Sequence, residues 1–194
     1  MAYQTTNPYT NEVVKTYENA TADEIEASLA QAQKLYKQWR NDPVSSRIPV
    51  LRKLAQIFRD ETDDLAKVLT TEMGKLFIEA QGEVQLCAMI ADYYAEHAED
   101  LLKPRKIESI AGDAQLENHP LGVLMAVEPW NFPYYQMMRI FAPNFAVGDP
   151  IVYKHAAITP AAALAFEDAV KRAGAPAGAL KNLFLSYDQV STVV

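Results

Sequence analysis

The chain has 194 residues, 49% hydrophobic and 22% charged, so it can bury a core as one or two domains. Its formal net charge of −7 argues against a nucleic-acid-binding surface, which needs a basic face. No stretch approaches the roughly 20 uninterrupted apolar residues of a membrane span, and the N-terminus lacks the basic and apolar regions of a secretion signal. The single cysteine, Cys87, excludes an internal disulfide, and three scattered histidines argue against a zinc site. We therefore expect a cytoplasmic protein without a bound metal.

The first hundred residues are predicted to be mainly helical. Residues 3–18 form a short extended arm with turns, and Thr21-Ala-Asp-Glu24 is a capping box that opens a helix reaching about Trp39. Apolar spacing predicts three further helices, at about 46–60, at 63–73 with an end at Gly74, and at about 78–102. Cys87 lies on the apolar face of the last one, where we expect it to be a core residue.

The pattern changes after Pro104. Residues 106–120 alternate in polarity and break at Gly112-Asp113, which predicts a β-hairpin or edge strands. Short apolar runs then alternate with helical segments. The predicted order is strand 122–127, helix 133–146, strand 150–156, helix 160–173 and strand 180–186. This order indicates an α/β fold with a Rossmann-like parallel sheet, in which ligands bind at the carboxyl ends of the strands.

Three parts of the chain are predicted. Residues 1–105 form the N-terminal arm and a helical region of a cofactor domain, residues 106–120 form hairpin or oligomerisation strands, and residues 121–194 form the first half of an NAD(P)-binding domain. A doubly wound dinucleotide domain normally has more than three strands. We therefore expect the chain to be truncated within that domain.

The stretch EPWNFPYYQ (128–136) follows the first strand of this sheet. Asn131 is a favourable N-cap for the next helix, and Pro133 suits the first helical turn. The same asparagine could instead act on a substrate, and the residues alone leave both interpretations open. Lys154, near the end of the second strand, either extends its ammonium group to solvent or donates to a cofactor. His155 is expected to be packed or hydrogen-bonded structure rather than a catalyst.

Several motifs, in order, resemble the aldehyde dehydrogenase family. They are NPYT near the start, TTEMGK (70–75), PWNFP (129–133), GDPIVYKHA (148–156) and AGAPAGALKNLF (173–184). The resemblance covers essentially the whole chain, and PWNFP is its most specific part. The KHA and PYYQMMR segments are most similar to the bacterial succinate-semialdehyde dehydrogenase branch.

The resemblance implies roles for residues near the strand ends. Asn131 would donate its side-chain amide to the aldehyde oxygen, where a preorganised donor stabilises the developing charge. Trp130 would line the nicotinamide side of the crevice, Lys154 would bond the adenosine ribose, and Val127 and Asn131 would also border the cofactor. Ala157 stands where many NAD-preferring members carry an acidic residue, so the cofactor is NADP or NAD, with NADP slightly favoured. Glu128 stands where relatives usually have an uncharged residue.

Tyr135 and Arg139 are the candidate substrate-binding residues. Their spacing from Asn131 predicts one shared helix face, and a long side chain leans back toward the helix N-terminus. Arg139 could then grip the carboxylate of a short aldehyde in a bidentate pair. The alternative is an arginine on a solvated face. Because this face lines the substrate tunnel in the family, the resemblance favours succinic semialdehyde over uncharged aldehydes.

The family's nucleophilic cysteine, general-base glutamate and glycine-rich phosphate turn match nothing in this chain. We therefore expect the chain alone to be inactive, and a longer parent enzyme to oxidise succinic semialdehyde to succinate with NAD(P)+. The expected partners are a small-molecule aldehyde and further copies of the protein in a dimer or tetramer, without nucleic acid or membrane. The rival hypothesis is a non-catalytic binding or oligomerisation module.

Overall fold

The N-terminal arm is a hairpin. A computed structural model of the chain describes residues 3–193, and in it the strands β1 (Tyr3–Asn7) and β2 (Glu12–Tyr17) pair antiparallel. The turn between them places Asn11 at a left-handed φ of 60°. The extended arm predicted from the sequence therefore pairs with itself rather than running alone.

All four predicted N-terminal helices are present. They are α1 (Ala22–Trp39), α2 (Ile48–Asp60), α3 (Thr62–Met73) and α4 (Phe77–Leu101), with a short 3-10 turn at Val44–Ser46 before α2. The predicted capping box begins α1, since the Glu24 backbone N–H donates to Thr21 Oγ1 at 3.2 Å and the Thr21 N–H donates to Glu24 Oε2 at 2.8 Å. Helix α3 ends at Gly74, whose left-handed φ of 70° favours glycine.

A second hairpin projects from the chain. Strands β3 (Arg105–Ile107) and β4 (Ala114–Leu116) pair antiparallel, as predicted for this region, and every residue in both is exposed.

The C-terminal part is a parallel sheet, which confirms the predicted α/β class. Its elements are β5 (Leu124–Val127), α5 (Pro133–Val147), β6 (Ile151–Lys154), α6 (Pro160–Arg172) and β7 (Leu180–Asn182). The strand order is β5-β6-β7, and both pairings are parallel. Strand β7 is shorter than predicted. Its last bond to β6 runs from the Leu183 N–H to the Tyr153 carbonyl at 2.9 Å, and β6 itself ends one residue later, at Lys154.

A short final helix, α7 (Tyr187–Val193), was not predicted. It begins at a second capping box. The Gln189 N–H donates to Ser186 Oγ at 3.2 Å, and the Ser186 N–H donates to Gln189 Oε1 at 2.8 Å. The Ser-x-x-Gln signature was therefore readable in the sequence.

Both faces of the sheet are covered. Helices α5 and α6 pack on one face and are backed by α2, α3 and α4, so the helical region and the sheet share one hydrophobic core. A smaller cluster on the other face joins Ile25 and Ala32 of α1 to Val152, Leu183 and Leu185, with Val190 and Val193 of α7 packed against it. None of the described helices is long and apolar enough to cross a bilayer. The sheet is thus fixed on both sides, and its carboxyl edge holds the candidate site.

Candidate active site

A crevice of about 320 Å³ opens at the carboxyl ends of the three parallel strands. Four predicted cofactor-binding residues lie in its wall, namely Val127, Trp130, Lys154 and Ala157. The fifth, Asn131, lies beside Trp130 but does not line the crevice. The position of the crevice agrees with the general rule for ligands in open α/β sheets.

Two tyrosines complete the crevice and were missed from the sequence. Tyr3 comes from β1 and Tyr187 from the start of α7. The Tyr3 hydroxyl donates to the Leu185 carbonyl at 2.9 Å, and burial raises the Tyr3 pKa to about 12. Tyr187 directly follows the predicted strand 180–186, so its position in the sequence already indicated that it lies at the carboxyl edge of the sheet. Tyr3 gave no such signal, because it reaches the crevice from the opposite end of the sequence.

Lys154 is held inside the crevice rather than extended to solvent. It is 9% exposed, its Nζ donates to the His155 carbonyl at 2.9 Å, and its Nζ lies 5.4 Å from the Tyr3 ring and 5.9 Å from the Tyr187 ring. Burial lowers its pKa. No carboxylate within residues 3–193 forms an ion pair with it. The solvent-extended alternative is therefore wrong, and the ammonium group is available to a polar or anionic ligand.

Glu128 contributes a carboxyl group to the same crevice wall. It is 5% exposed, and its Oε1 atom is buried without a hydrogen-bond partner in the described part of the chain. Burial raises its pKa to about 7, against a smaller opposing effect of the positive Arg139. At neutral pH it is therefore only partly charged, which limits the repulsion of a phosphate-bearing ligand.

The structure separates the two interpretations of Asn131. Helix α5 begins at Pro133, and its N-cap is Phe132, which makes no side-chain capping bond. The first-turn N–H groups of Tyr134 and Tyr135 donate instead to Glu83 Oε1, at 2.9 and 3.1 Å. The prediction that Asn131 caps the helix is wrong, because a distant carboxylate already occupies that role. Asn131 is exposed, and its amide makes no hydrogen bond within residues 3–193.

The predicted common helix face needs a correction. Asn131 precedes α5, so the spacing of four residues does not place it on the helix. Tyr135 and Arg139 do lie together, with the Arg139 guanidinium carbon 5.9 Å from the centre of the Tyr135 ring. The Tyr135 ring meets Phe132 at 6.1 Å, and Phe132 is the neighbour of Asn131. Arg139 is exposed, and its only described hydrogen bond goes to Gln136 Oε1 at 3.3 Å.

His155 ties the two strand-end loops together. Its Nδ1 accepts from the Ala156 N–H and the Thr159 hydroxyl, both at 2.8 Å, so Nε2 carries the proton and donates to the Pro133 carbonyl at 3.1 Å. Burial lowers its pKa to about 4, which keeps it neutral. A hydrogen-bonded structural role was expected, and the geometry agrees.

A family model described as the aldehyde dehydrogenase family matches residues 1–192. The chain belongs to the aldehyde dehydrogenase family.

Individual relatives within this family carry more specific names. The chain is 42% identical over 192 residues to the succinate-semialdehyde dehydrogenase [NADP(+)] of Deinococcus radiodurans, which covers 99% of this chain and 40% of that protein. It is 37% identical over 185 residues to a probable enzyme of the same name from Synechocystis, covering 95% of the chain and 41% of that protein. The chain thus spans about 40% of the length of these aldehyde dehydrogenases.

Solved aldehyde dehydrogenase structures have the same fold. The succinic semialdehyde dehydrogenase of Streptococcus pyogenes, in complex with NADP+, superposes with a TM-score of 0.97 at 52% identity and covers 99% of this chain and 42% of that one. The Burkholderia pseudomallei succinate-semialdehyde dehydrogenase superposes with a TM-score of 0.91 at 31% identity, covering 100% and 40%. The Rossmann-like sheet is therefore that of an aldehyde dehydrogenase.

Cys87 cannot be the nucleophile of an aldehyde dehydrogenase site. It is 0% exposed in the core, and burial raises its thiol pKa well above the ordinary value. The attacking species in such chemistry is an accessible thiolate, and this chain has no other cysteine. Residues 3–193 therefore contain no cysteine that could act as such a nucleophile.

Proposed function

We propose that this chain supplies the oxyanion donor and part of the cofactor crevice of an NADP+-dependent succinate-semialdehyde dehydrogenase. The nucleophile and the general base come from sequence outside these 194 residues, and the chain alone is inactive. The observation that carries the proposal is the Asn131 amide, which is free of helix capping and lies beside a crevice that contains an uncompensated lysine. The names of the Deinococcus and Streptococcus relatives support the choice of cofactor and substrate.

Asn131 acts on the aldehyde oxygen. As a nucleophile adds to the carbonyl carbon, negative charge develops on that oxygen, and the amide N–H of Asn131 donates to it. The donor is in place before the reaction, so it favours the transition state over the ground state. Its position directly before the rigid start of α5 suits it to this role.

The crevice residues fit a dinucleotide that carries an additional phosphate. Lys154 donates to the ribose hydroxyls or the 2′-phosphate, and Ala157 leaves out a carboxylate that would repel the phosphate. Tyr3 and Tyr187 provide aromatic surface beside the lysine. When bound, the nicotinamide cofactor supplies the hydride acceptor for the oxidation.

Arg139 selects a substrate that carries its own carboxylate. Its guanidinium is exposed and lies over the Tyr135 ring. Tyr135 in turn contacts Phe132, the residue next to Asn131. A short aldehyde with a terminal carboxylate can present its aldehyde to Asn131 and its carboxylate to Arg139. Succinic semialdehyde is a substrate of this kind.

The exposed hairpin β3–β4 is the candidate surface for self-association. Ile107, Ile110 and Leu116 are 50%, 110% and 43% exposed, which leaves apolar side chains on an open strand pair. Covering them with a second copy of the protein would complete the homo-oligomer that we propose.

Replacement of Asn131 tests the oxyanion role. The assay uses a chimera in which residues 1–194 replace the matching segment of the Streptococcus pyogenes enzyme. We expect Asn131→Ala to lower kcat by roughly 10²–10³, as for other single oxyanion donors. Its melting temperature should not change, because Asn131 caps no helix.

The matched control for this experiment is Asn41→Ala, at an exposed position after α1. It should leave kcat unchanged. A kcat for Asn131→Ala within a factor of about two of the parent would contradict an oxyanion donor, whose loss is far more costly. A folded chimera without turnover would favour the non-catalytic binding module.

A further inference from the structure

Glu83 of α4 caps the helix that follows Asn131. Its side chain is 0% exposed, and one of its oxygens, Oε1, accepts both first-turn N–H groups of α5, at Tyr134 and Tyr135. Tyr134 is itself fully buried, so water cannot replace this acceptor. A buried donor without a partner is costly, and Glu83 is therefore required for α5 to begin where it does.

Lys75 completes this arrangement and extends it to the PWNFP turn. Its ammonium group forms an ion pair with the other oxygen of Glu83, Oε2, and its side chain is only 8% exposed. The same ammonium nitrogen lies 3.7 Å from the centre of the Phe132 ring, a cation–π contact. Because Phe132 directly follows Asn131, one buried ion pair fixes both the helix start and the residue beside the proposed catalytic amide.

The free state of the Asn131 amide follows from this arrangement. Asparagine is among the best N-cap residues, and its side chain readily bonds nearby backbone N–H groups. At the start of α5 two of those N–H groups are already taken by Glu83. An asparagine placed before this helix therefore has no local reason to turn its amide back on the backbone.

We propose that Glu83, together with Lys75, is the positioning residue for Asn131. The pair takes over the capping of α5, fixes the turn through Phe132, and leaves the Asn131 amide free for the aldehyde oxygen. This inference rests on the proposed function, since it assigns a way in which the oxyanion donor is held. Glu83 does not touch the substrate in this role and acts only through Asn131.

The chain contains a matched control for this role. Glu72 of α3 caps the next helix in the same way, because its two oxygens accept the Ala161 and Ala162 N–H groups of α6, both at 2.8 Å. Glu72 is 4% exposed, so its burial is similar. It differs in that its helix does not follow Asn131. A loss that comes only from uncapping a helix should appear equally for Glu72 and Glu83.

A double-mutant cycle in the chimera tests the proposal. We expect Glu83→Gln to lower kcat at least about tenfold, while the NADP+ dissociation constant changes less than about twofold. In the Asn131→Ala background the same replacement should change kcat by less than about twofold, because the residue through which it acts is gone. Glu72→Gln should lower the melting temperature to a similar extent and leave kcat within about a factor of two of the parent.

The contrary outcomes are distinct. An equal fold loss of kcat from Glu83→Gln in both backgrounds, or an equal loss from Glu72→Gln, would overturn the positioning role while leaving the oxyanion role of Asn131 intact. An Asn131→Ala variant with unchanged kcat would overturn both. If Glu83→Gln does not fold, Glu83→Gln/Lys75→Met takes its place in the cycle, since it leaves no unpaired buried charge.

Discussion

Arg139 is exposed and forms no ion pair among residues 3–193, although its charge is close enough to Glu128 to oppose the rise in the pKa of that carboxyl group. If it grips the substrate carboxylate, the chimera with Arg139→Ala should lose about 10- to 100-fold in kcat/KM for succinic semialdehyde, the loss expected when a hydrogen bond to a charged group is removed. Butanal has no carboxylate, so its kcat/KM should stay within about twofold of the parent value.

Arg52→Ala, at an exposed position on α2, is the control for general effects of losing an arginine. Equal losses on succinic semialdehyde and butanal would contradict the carboxylate contact and favour a dehydrogenase for uncharged aldehydes.

Ala157 bears on the choice of cofactor. A glutamate there would place a carboxylate in the crevice wall near the proposed 2′-phosphate, so Ala157→Glu should weaken NADP+ binding more than NAD+ binding, by about tenfold in the ratio of the two dissociation constants. Ala157→Gln adds the same volume without charge and should change both affinities alike. An unchanged ratio in Ala157→Glu would show that the phosphate does not lie near this residue.

Glu128 should make stability depend on pH. Burial raises its pKa from 4.5 to about 7. The folded chain therefore holds this proton more tightly than the unfolded chain, and the resulting stability is present below pH 4.5 and lost as the pH rises to about 7. Glu128→Gln should raise the free energy of unfolding by up to about 3 kcal/mol at a pH above 7 and leave it unchanged near pH 4.

Denaturant unfolding of the wild-type chain and the variant measures this difference. Glu99→Gln, at an exposed position, serves as the control. His155 acts in the opposite sense, since its lowered pKa removes stability as the pH falls from 6.5 to about 4. The comparison of variant with wild type cancels the His155 effect. If the difference in unfolding free energy between Glu128→Gln and wild type were the same at all pH values, the raised pKa of Glu128 would be contradicted.

Asn131 shows what local sequence can and cannot predict. Its residue type and the following proline correctly indicated the start of a helix. The assignment of the cap was wrong because the acceptor comes from Glu83, which lies 51 positions before Tyr134. Nothing in EPWNFPYYQ signals such a partner. The catalytic interpretation of Asn131 came from the resemblance to aldehyde dehydrogenases. The bonds from the first turn of α5 to Glu83 exclude the competing interpretation, in which Asn131 caps the helix.

At the scale of elements, the boundaries with chemical signals were predictable. The capping box at Thr21 and the glycine at the end of α3 placed helix termini to within about a residue, the usual uncertainty of such boundaries. The end of β7 was predicted too late, because it depends on pairing with the neighbouring strand β6, which ends at Lys154. The helix α7 was missed although Ser186 and Gln189 form a readable capping box.

The loop between α6 and β7 contains two glycines with similar backbone conformations but different surroundings. Replacing each one by alanine distinguishes the cost of backbone strain from the cost of a steric clash. Gly174 and Gly178 have similar left-handed φ values, 99° and 94°. A Cβ at Gly178 would lie 2.9 Å from the Gln31 carbonyl oxygen, whereas a Cβ at Gly174 would meet nothing within 4 Å. Gly174→Ala should cost about 1–2 kcal/mol of unfolding free energy for the backbone alone.

Gly178→Ala should cost a further 1–3 kcal/mol or so, because α1 must shift away from the new methyl group. Chemical denaturation of both variants measures the difference. Equal losses would mean that α1 does not approach this loop as closely as the structure shows.

At the scale of the molecule, the alternation of apolar runs with helical segments was enough to predict the parallel sheet. The contacts that join the two ends of the sequence were not predictable. Tyr3 reaches Leu185 across 182 positions, and the Gln4 N–H donates to the Ala157 carbonyl at 3.2 Å. Short-range periodicity carries no information about such pairs. The crevice was therefore placed correctly on the sheet, while its outer wall was not foreseen.

Glu72 and Glu83 also bear on the order of folding. They belong to the helical layer but satisfy the first turns of α5 and α6, up to 90 positions away. These first turns therefore have no acceptor until the two layers meet, and in a partly folded chain they should fray. We expect the amide protons of Tyr134 and Ala162 to gain protection from solvent exchange only when α3 and α4 dock, later than those in the middle of their helices. The two glutamates would thus make the first turns of α5 and α6 form only after the helical layer has docked on the sheet layer.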